Sequence, residues 1–476
     1  MSTRLMLCLA FLCSFLLPPS STFAAPPNII MVLVDDFGWT DLSYAGSKLY
    51  ETPHIDKLAA KGVKFTNAYS ACTVCSPTRA SLMTGKYPAR LHITDWIAGH
   101  QRPNAKLKIP DWTKYLPREE TTIAESLKAQ GYATASIGKW HLGNASEGYP
   151  DAHGFDVNGG GYERGQPPSY FAPYKIPTLK EGPDGEYLTD REAVEVCNFI
   201  EANKAKPFFV YLPHYTVHTP IQAKKEKIEK YKAKIAKLEA EGQLGAQKHA
   251  AYAAMIESLD EAIGTIVAKL DQLKLSDNTI ILFTGDNGGL IGPTDNKPAR
   301  VGKGSAYEGG VRVPLFIVAP GIAKAGKTCA EPVMTPDLYA TMIELAGVKN
   351  DPRGEAKVDG LSLVPLLKDP TATLARDEIY WHYPHYHPGG ATPYSAVRSR
   401  DWKLIEFFED GRLELFNLKE DIGETQDRSK TEPAKTAELA GKLKAWRAAV
   451  GAQLPTPNPQ YDPEKEKGGT KKGKAK

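Results

Sequence analysis

Apolar residues along this chain gather in two kinds of pattern. Five stretches are apolar almost without interruption: 28–34 (Asn-Ile-Ile-Met-Val-Leu-Val), 133–138, 207–212, 279–284 and 313–319. Continuous rather than alternating hydrophobicity predicts strands buried on both faces, as in a parallel sheet covered by helices. Between these runs, residues 54–61, 121–130 and 252–273 carry apolar positions at helical spacing. Strands alternating with helices predict an α/β fold, a large mixed but mostly parallel sheet sandwiched by helices.

The pattern changes toward the ends. Residues 223–241 are rich in Lys, Glu and Ala and predict a solvated helix with i,i+4 ion pairs. A break at 351–355 predicts a boundary between a catalytic domain, 26–350, and a smaller C-terminal α+β subdomain, 351–455. There 394–398 and 402–408 predict short strands, Glu409-Asp410-Gly411 a turn, and 436–450 an amphipathic helix. The Lys/Gly-rich end predicts a disordered basic tail over 456–476.

At the other end, Arg4 precedes the apolar run 5–17 and a small-residue exit to Ala24. That order predicts a secretory signal over 1–24, too short to span a bilayer comfortably. An uncleaved anchor is the alternative; export to periplasm or medium, without stable membrane insertion, is the expectation. Hydrophobic content of 42% and charged content of 24% are those of a soluble globular protein. A net charge of +3 over 476 residues makes no case for nucleic acid as a partner.

Cysteine usage narrows the chemistry. Cys8 and Cys13 lie in the signal, while Cys72, Cys75, Cys197 and Cys329 are too scattered for a disulfide scaffold. An exported free thiol is exposed to oxidation, so Cys75 asks for a specific role.

Polar groups directly follow four of the apolar runs: Asp35-Asp36, Lys139, the stretch 214–218 and Asp286-Asn287. In α/β sheets the chemistry gathers where strands end. Asp35, Asp36, Asp286 and Asn287 offer hard oxygen ligands suited to calcium or magnesium. Lys139 and His141, at i and i+2 of an extended segment, point the same way.

The stretch Cys75-Ser76-Pro77-Thr78-Arg79, followed by Leu82-Met83-Thr84-Gly85, resembles the signature of the type I sulfatases of the alkaline phosphatase superfamily. Thr78 stands where Ser is commoner and keeps the hydroxyl. The element Gly138-Lys139-Trp140-His141-Leu142-Gly143 resembles that family equally closely, and five separated motifs follow its order over roughly residues 28–447.

The resemblance implies an alkaline-phosphatase-like fold and a sulfuric ester hydrolase. It implies that a separate maturation enzyme oxidises Cys75 to formylglycine, whose hydrate attacks sulfur and then expels sulfate through its second hydroxyl. It also implies one calcium ion, held by Asp35, Asp36, Asp286, Asn287 and the modified Cys75. Arg79 would position the nucleophile and metal ligands, and His141 would contact the formylglycine. Lys139 and Lys303 would bind the sulfate, and His218 would protonate the leaving alcohol. His214 is the rival claimant for that last role. Glu308 and Arg312 would brace the loop carrying Lys303.

The substrate is less legible. The cluster His382-Tyr383-Pro384-His385-Tyr386-His387 suggests a carbohydrate-facing loop in which His385 and His387 bind substrate. Trp96, His100 and Arg102 are candidates for the same rim. The expected substrate is a sulfated polysaccharide carrying O-sulfate on galactose or N-acetylgalactosamine. Two alternatives stand beside this: a phosphodiester or phosphonate monoester hydrolase of the same superfamily, and a sulfated-glycan binding protein with Cys75 unmodified.

Overall fold

The computed structural model describes residues 26–349, 351–354 and 357–465. The expected signal at 1–24 and the last part of the basic tail lie outside the described residues.

The apolar runs form the centre of an eight-stranded sheet. In chain order its strands are β1 (Asn28–Val34), β2 (Val63–Phe65), β3 (Ala133–Ile137), β4 (Val157–Gly159), β5 (Phe208–His214), β6 (Thr279–Gly285), β7 (Leu315–Val318) and β8 (Lys327–Cys329). Across the sheet the order is β8-β2-β7-β6-β1-β5-β3-β4. Every pairing is parallel except the two that flank β7. Burial on both faces explains the unbroken hydrophobicity. Ile30, Val32 and Val34 pack toward the helices Leu188–Asn203 and Ala250–Gln272. Ile29, Met31 and Leu33 pack toward Cys75–Thr84, Ile123–Lys128 and Thr335–Leu345.

The register determines where the chemistry goes. Val34 lies opposite His214 on one side and Gly285 on the other. Asp35, Tyr215 and Asp286 therefore leave the sheet together, with Gly138 and Lys139 close by after β3.

A second sheet of four antiparallel strands follows: β9 (Glu378–Tyr383), β10 (Tyr394–Ser399), β11 (Trp402–Phe407) and β12 (Leu413–Asn417). The helix Pro433–Val450 covers one face through Leu439 and Leu443. The other face meets the main body through Trp381, Phe416 and Tyr69.

Three expectations change. His382 and Tyr383 end strand β9 rather than lying in a loop. The helix Lys225–Ala240 is not wholly solvated: it buries Tyr231 and Leu238, and Lys230 and Lys234 reach Glu51 on another segment. Finally, Thr456–Pro457, where a tail was expected to start, pairs antiparallel with Leu107–Lys108. Backbone pairing with a distant segment orders residues whose composition alone reads as tail.

Candidate active site

Cys75 is the first residue of the helix Cys75–Thr84, where unpaired backbone N–H groups favour negative charge. Local chemistry shapes this turn. The Thr78 hydroxyl accepts the Cys72 N–H at 3.1 Å and lies 3.2 Å from the Cys72 carbonyl. The hydroxyl of Thr73 donates to the Ser305 carbonyl at 2.8 Å, and Gly304 N–H donates to the Thr73 carbonyl at 3.0 Å. These bonds bring the Lys303 loop to Cys75, leaving the Lys303 ammonium 3.4 Å from its sulfur.

Carboxylates and cations alternate around the thiol. Lys139 lies 2.6 Å from Asp35, and Lys303 lies 2.5 Å from Asp36. The fully buried Arg79 donates through Nε and Nη2 to one Asp286 oxygen, at 3.1 and 2.8 Å, and through Nη1 to the Lys139 carbonyl. Asp36 adopts a left-handed φ of 56°, accepts from Asn287 at 2.8 Å, and gives its own N–H to Asp286. Burial works against ionisation of Asp36, but Lys303 and His218 outweigh it and hold the carboxyl well below its usual range. Burial and the neighbouring Asp35 push Asp286 the other way. Burial also pushes the Cys75 thiol up to about 11, against the pull of Lys139 and Lys303.

Asp35 Oδ1, Asp36 Oδ2 and Asn287 Oδ1 are buried and accept no hydrogen bond from a described residue. Buried oxygens of this kind are costly unless something positive meets them. A carboxylate oxygen from each of Asp35 and Asp36, the Cys75 sulfur and a His218 ring nitrogen lie within 4.8 Å of one another. The donor set fits a hard cation, which Asp35, Asp36 and Asn287 would hold, with Asp286 beside them.

The site opens into a cleft of about 760 Å³. Asp36, Cys75, His141, His218 and Lys303 reach it, together with His387. His214 does not: it is buried, with Nδ1 2.6 Å from Glu192, so of the two histidines His218 is the one that faces the cleft. His218 Nδ1 donates to the Thr219 carbonyl at 2.9 Å, and Nε2 lies 3.6 Å from Asp36. Burial, with Lys303 and Lys139 nearby, lowers its pKa to about 3 despite Asp36. A bound sulfate would act in the opposite sense. Burial, with Lys139 beside it, holds His141 well below its ordinary value, and its Nε2 bonds the Ile97 carbonyl.

The rim divides the remaining candidates. Trp96 lines the cleft and Arg102 does not; Arg102 lies 5.0 Å over the Tyr386 ring. His100 is partly buried on the same loop and does not line the cleft. His385, expected on the rim with His387, is instead fully buried, 2.8 Å from the Thr94 hydroxyl and edge-on to Trp112. Residues 381–386 are all buried, and His387 is the first of this stretch to be partly exposed. Glu308 is buried 3.2 Å from Arg312, which matches the bracing role expected of both. Sequence reading missed Gly165 and the charged rim residues Lys114, Glu147, Glu163 and Arg164. They sit on loops without periodicity or motif, and no sequence signal marked them.

A carboxylate cluster suited to a cation, two lysines suited to an anion and a reactive position at a helix end define an ester hydrolase for anionic substrates. Comparisons with known proteins name the class. A family model described as Sulfatase matches residues 27–348, and one described as N-sulphoglucosamine sulphohydrolase, C-terminal, matches 301–449. A sulfatase of Formosa agariphila is 32% identical, with 88% of each chain covered. Human N-acetylgalactosamine-6-sulfatase is 33% identical over 72% of this chain, which spans 66% of that protein's length. The crystal structure of Ps i-CgsB, also solved with k-i-k-neocarrahexaose, is 29% identical with a TM-score of 0.75, covering 94% of this chain and 97% of that one. The chain belongs to the sulfatase family, the type I sulfatases of the alkaline phosphatase superfamily, and is a sulfuric ester hydrolase.

Among the described residues no helix is long and apolar enough to cross a membrane.

Proposed function

We propose that this chain is an exported, calcium-dependent carbohydrate sulfatase that removes O-sulfate from galactose or N-acetylgalactosamine units of sulfated polysaccharides. The carrying observation is the position of Cys75, at a helix N-terminus, 3.4 Å from Lys303 and beside buried carboxylate oxygens without donors. A plain thiol there, pushed up to about 11, is a poor nucleophile at neutral pH. Conversion to formylglycine by a maturation enzyme resolves the mismatch, because a hydrated aldehyde supplies one hydroxyl to attack sulfur and a second whose deprotonation releases sulfate. Calcium would add charge stabilisation at the sulfate oxygens.

The chain's own side chains supply the rest. Lys139 and Lys303 neutralise the sulfate, each held in place by an aspartate. Arg79 fixes Asp286 and the Lys139 backbone. His218 keeps Nδ1 on a carbonyl, leaving Nε2 to carry a proton to the leaving oxygen. His387 and Trp96 border the space that the sugar would fill. The N-acetylgalactosamine-6-sulfatase relatives and the neocarrahexaose complex support a sulfated galactose-type substrate.

Peptide mass spectrometry of protein from the native exported fraction tests the reading. Replacement of the thiol by an aldehyde at Cys75, with turnover of sulfated galactose oligosaccharides, is the expected result. An intact thiol in protein that binds such sugars without turnover would overturn it.

A further inference from the structure

A second cleft, of about 260 Å³, opens beside the catalytic one. The same two stretches of chain border both. Trp96 and Ile97 face the catalytic cleft; a few residues further on, Arg102 and Lys108 wall the second. His387 lines the first cleft and its neighbour Tyr386 the second. Consecutive Cα atoms lie about 3.8 Å apart, so a single residue's step separates the two along this border.

The sulfate chemistry makes no use of this second cleft, yet its walls are closely built. Leu107–Lys108 pairs with Thr456–Pro457. Asn458 donates to the carbonyls of Pro103 and Ala105 at 2.9 and 2.7 Å, while Asn104 and Asp462 exchange two hydrogen bonds of 3.0 Å. Tyr386 accepts the Leu107 N–H at 3.1 Å and donates to Glu409 at 2.7 Å.

Its charge is mainly positive. Of its lining residues only Arg102 and Lys108 carry charge, and both are cations. Lys114, further along the same stretch, lines the catalytic cleft. Lys108 is exposed and forms no ion pair with a described residue. Of the nearby acids, Glu409 is engaged by Tyr386, and Asp462 lies 3.6 Å from Lys465.

We propose that this cleft is a second anion subsite, which binds a further sulfate group on the same glycan, on a sugar beyond the one that is desulfated. The inference rests on the sulfatase reading and deepens it: the preferred substrate is a multiply sulfated oligo- or polysaccharide rather than a small monosulfated sugar. Lys108 supplies the ammonium for that sulfate, while Arg102, held over the Tyr386 ring, borders the cleft.

The test uses the whole chain and three sugars: a sulfated galactan hexasaccharide, its disaccharide and the desulfated hexasaccharide, with binding measured calorimetrically. Wild type should bind the sulfated hexasaccharide more tightly than either other sugar. Lys108→Ala should weaken hexasaccharide binding about tenfold, the equivalent of about 1.4 kcal/mol. It should leave disaccharide binding and hydrolysis of 4-methylumbelliferyl sulfate unchanged. Equal binding of hexasaccharide and disaccharide, or an unaffected Lys108→Ala variant, overturns the subsite; so does equal binding of the desulfated hexasaccharide. Failure of wild type to hydrolyse the aryl sulfate would instead strike the sulfatase reading, and the binding comparison would still decide the subsite.

Discussion

The Lys403 ammonium lies 2.9 Å from a Glu308 carboxylate oxygen, and neither side chain is exposed. Lys403 belongs to the C-terminal sheet; Glu308 follows Lys303 by five residues. Glu424 approaches the same ammonium at 3.0 Å and accepts the Glu308 N–H at 2.6 Å. The C-terminal sheet thus grips the loop that delivers Lys303 to Cys75. Lys403→Met would leave two buried carboxylates without their shared cation, and breaking a buried pair in this way costs about 3–5 kcal/mol. Thermal denaturation should show a Tm several degrees lower, and a Tm equal to wild type would refute the role.

A similar constraint acts on His141. A methyl group at Gly165 would stand 2.5 Å from the imidazole Cε1. The ring has little room to retreat, because Nε2 bonds the Ile97 carbonyl and the residue already sits at a φ of 59°. Gly165→Ala should therefore displace the ring or the loop. Misplacement of a catalytic group by about 1 Å can cost about 100-fold in rate. Steady-state kinetics should show a fall in kcat of about ten- to a hundredfold with Tm nearly unchanged. Wild-type kcat would mean that His141 tolerates the shift.

These two contacts mark where the sequence stopped being informative. Asp35, Lys139, His218 and Asp286 were legible because unbroken apolar runs end abruptly in polar residues, and parallel strands deliver such ends to one edge. The direction of β7 was not legible, since burial on both faces looks the same in either orientation. His385 and His387 carry equal signals in sequence, and only the path of the backbone sends one inward and the other to the cleft. Gly165, and the pairing of Thr456–Pro457 with Leu107–Lys108, depend on contacts between distant segments that leave no periodic trace.

The geometry of His218 predicts a dependence on the leaving group. If Nε2 protonates the departing oxygen, His218→Ala should slow hydrolysis of an alkyl or sugar sulfate by about 10²–10⁴-fold. A nitrophenyl sulfate, whose leaving group needs little protonation, should suffer much less. Measuring both substrates on the same variant separates the roles: equal losses would show that His218 acts in binding rather than as an acid.

The oxygens of Asp35, Asp36 and Asn287 that accept no hydrogen bond predict that a cation bound there would contribute to folding stability. A ligand bound only by the native state stabilises it by about 2.7 kcal/mol at 100 times its Kd. Added calcium should raise Tm, EDTA should reverse the rise, and Asn287→Ala should blunt it. A Tm indifferent to calcium and EDTA would remove the cation from this cluster.

His382 predicts a pH effect of definite sign. Nε2 donates to the Gln453 carbonyl at 2.8 Å, and Nδ1 lies 2.7 Å from the Ser395 hydroxyl, which donates to it when the ring is neutral. Burial, with Arg447 nearby, lowers its pKa to about 4 against the pull of that carbonyl. In the unfolded chain the value returns to about 6.5. Between these values the unfolded state binds a proton that the folded state refuses. The stability from neutral His382 is therefore complete above about pH 6.5 and is lost as pH falls toward 4. His382→Asn discards that term, so it should destabilise more at pH 7.5 than at pH 5, by about 2 kcal/mol for one titrating group. Denaturant unfolding of both proteins at the two pH values measures the difference directly. Equal destabilisation at both would mean that folding leaves the His382 pKa unshifted.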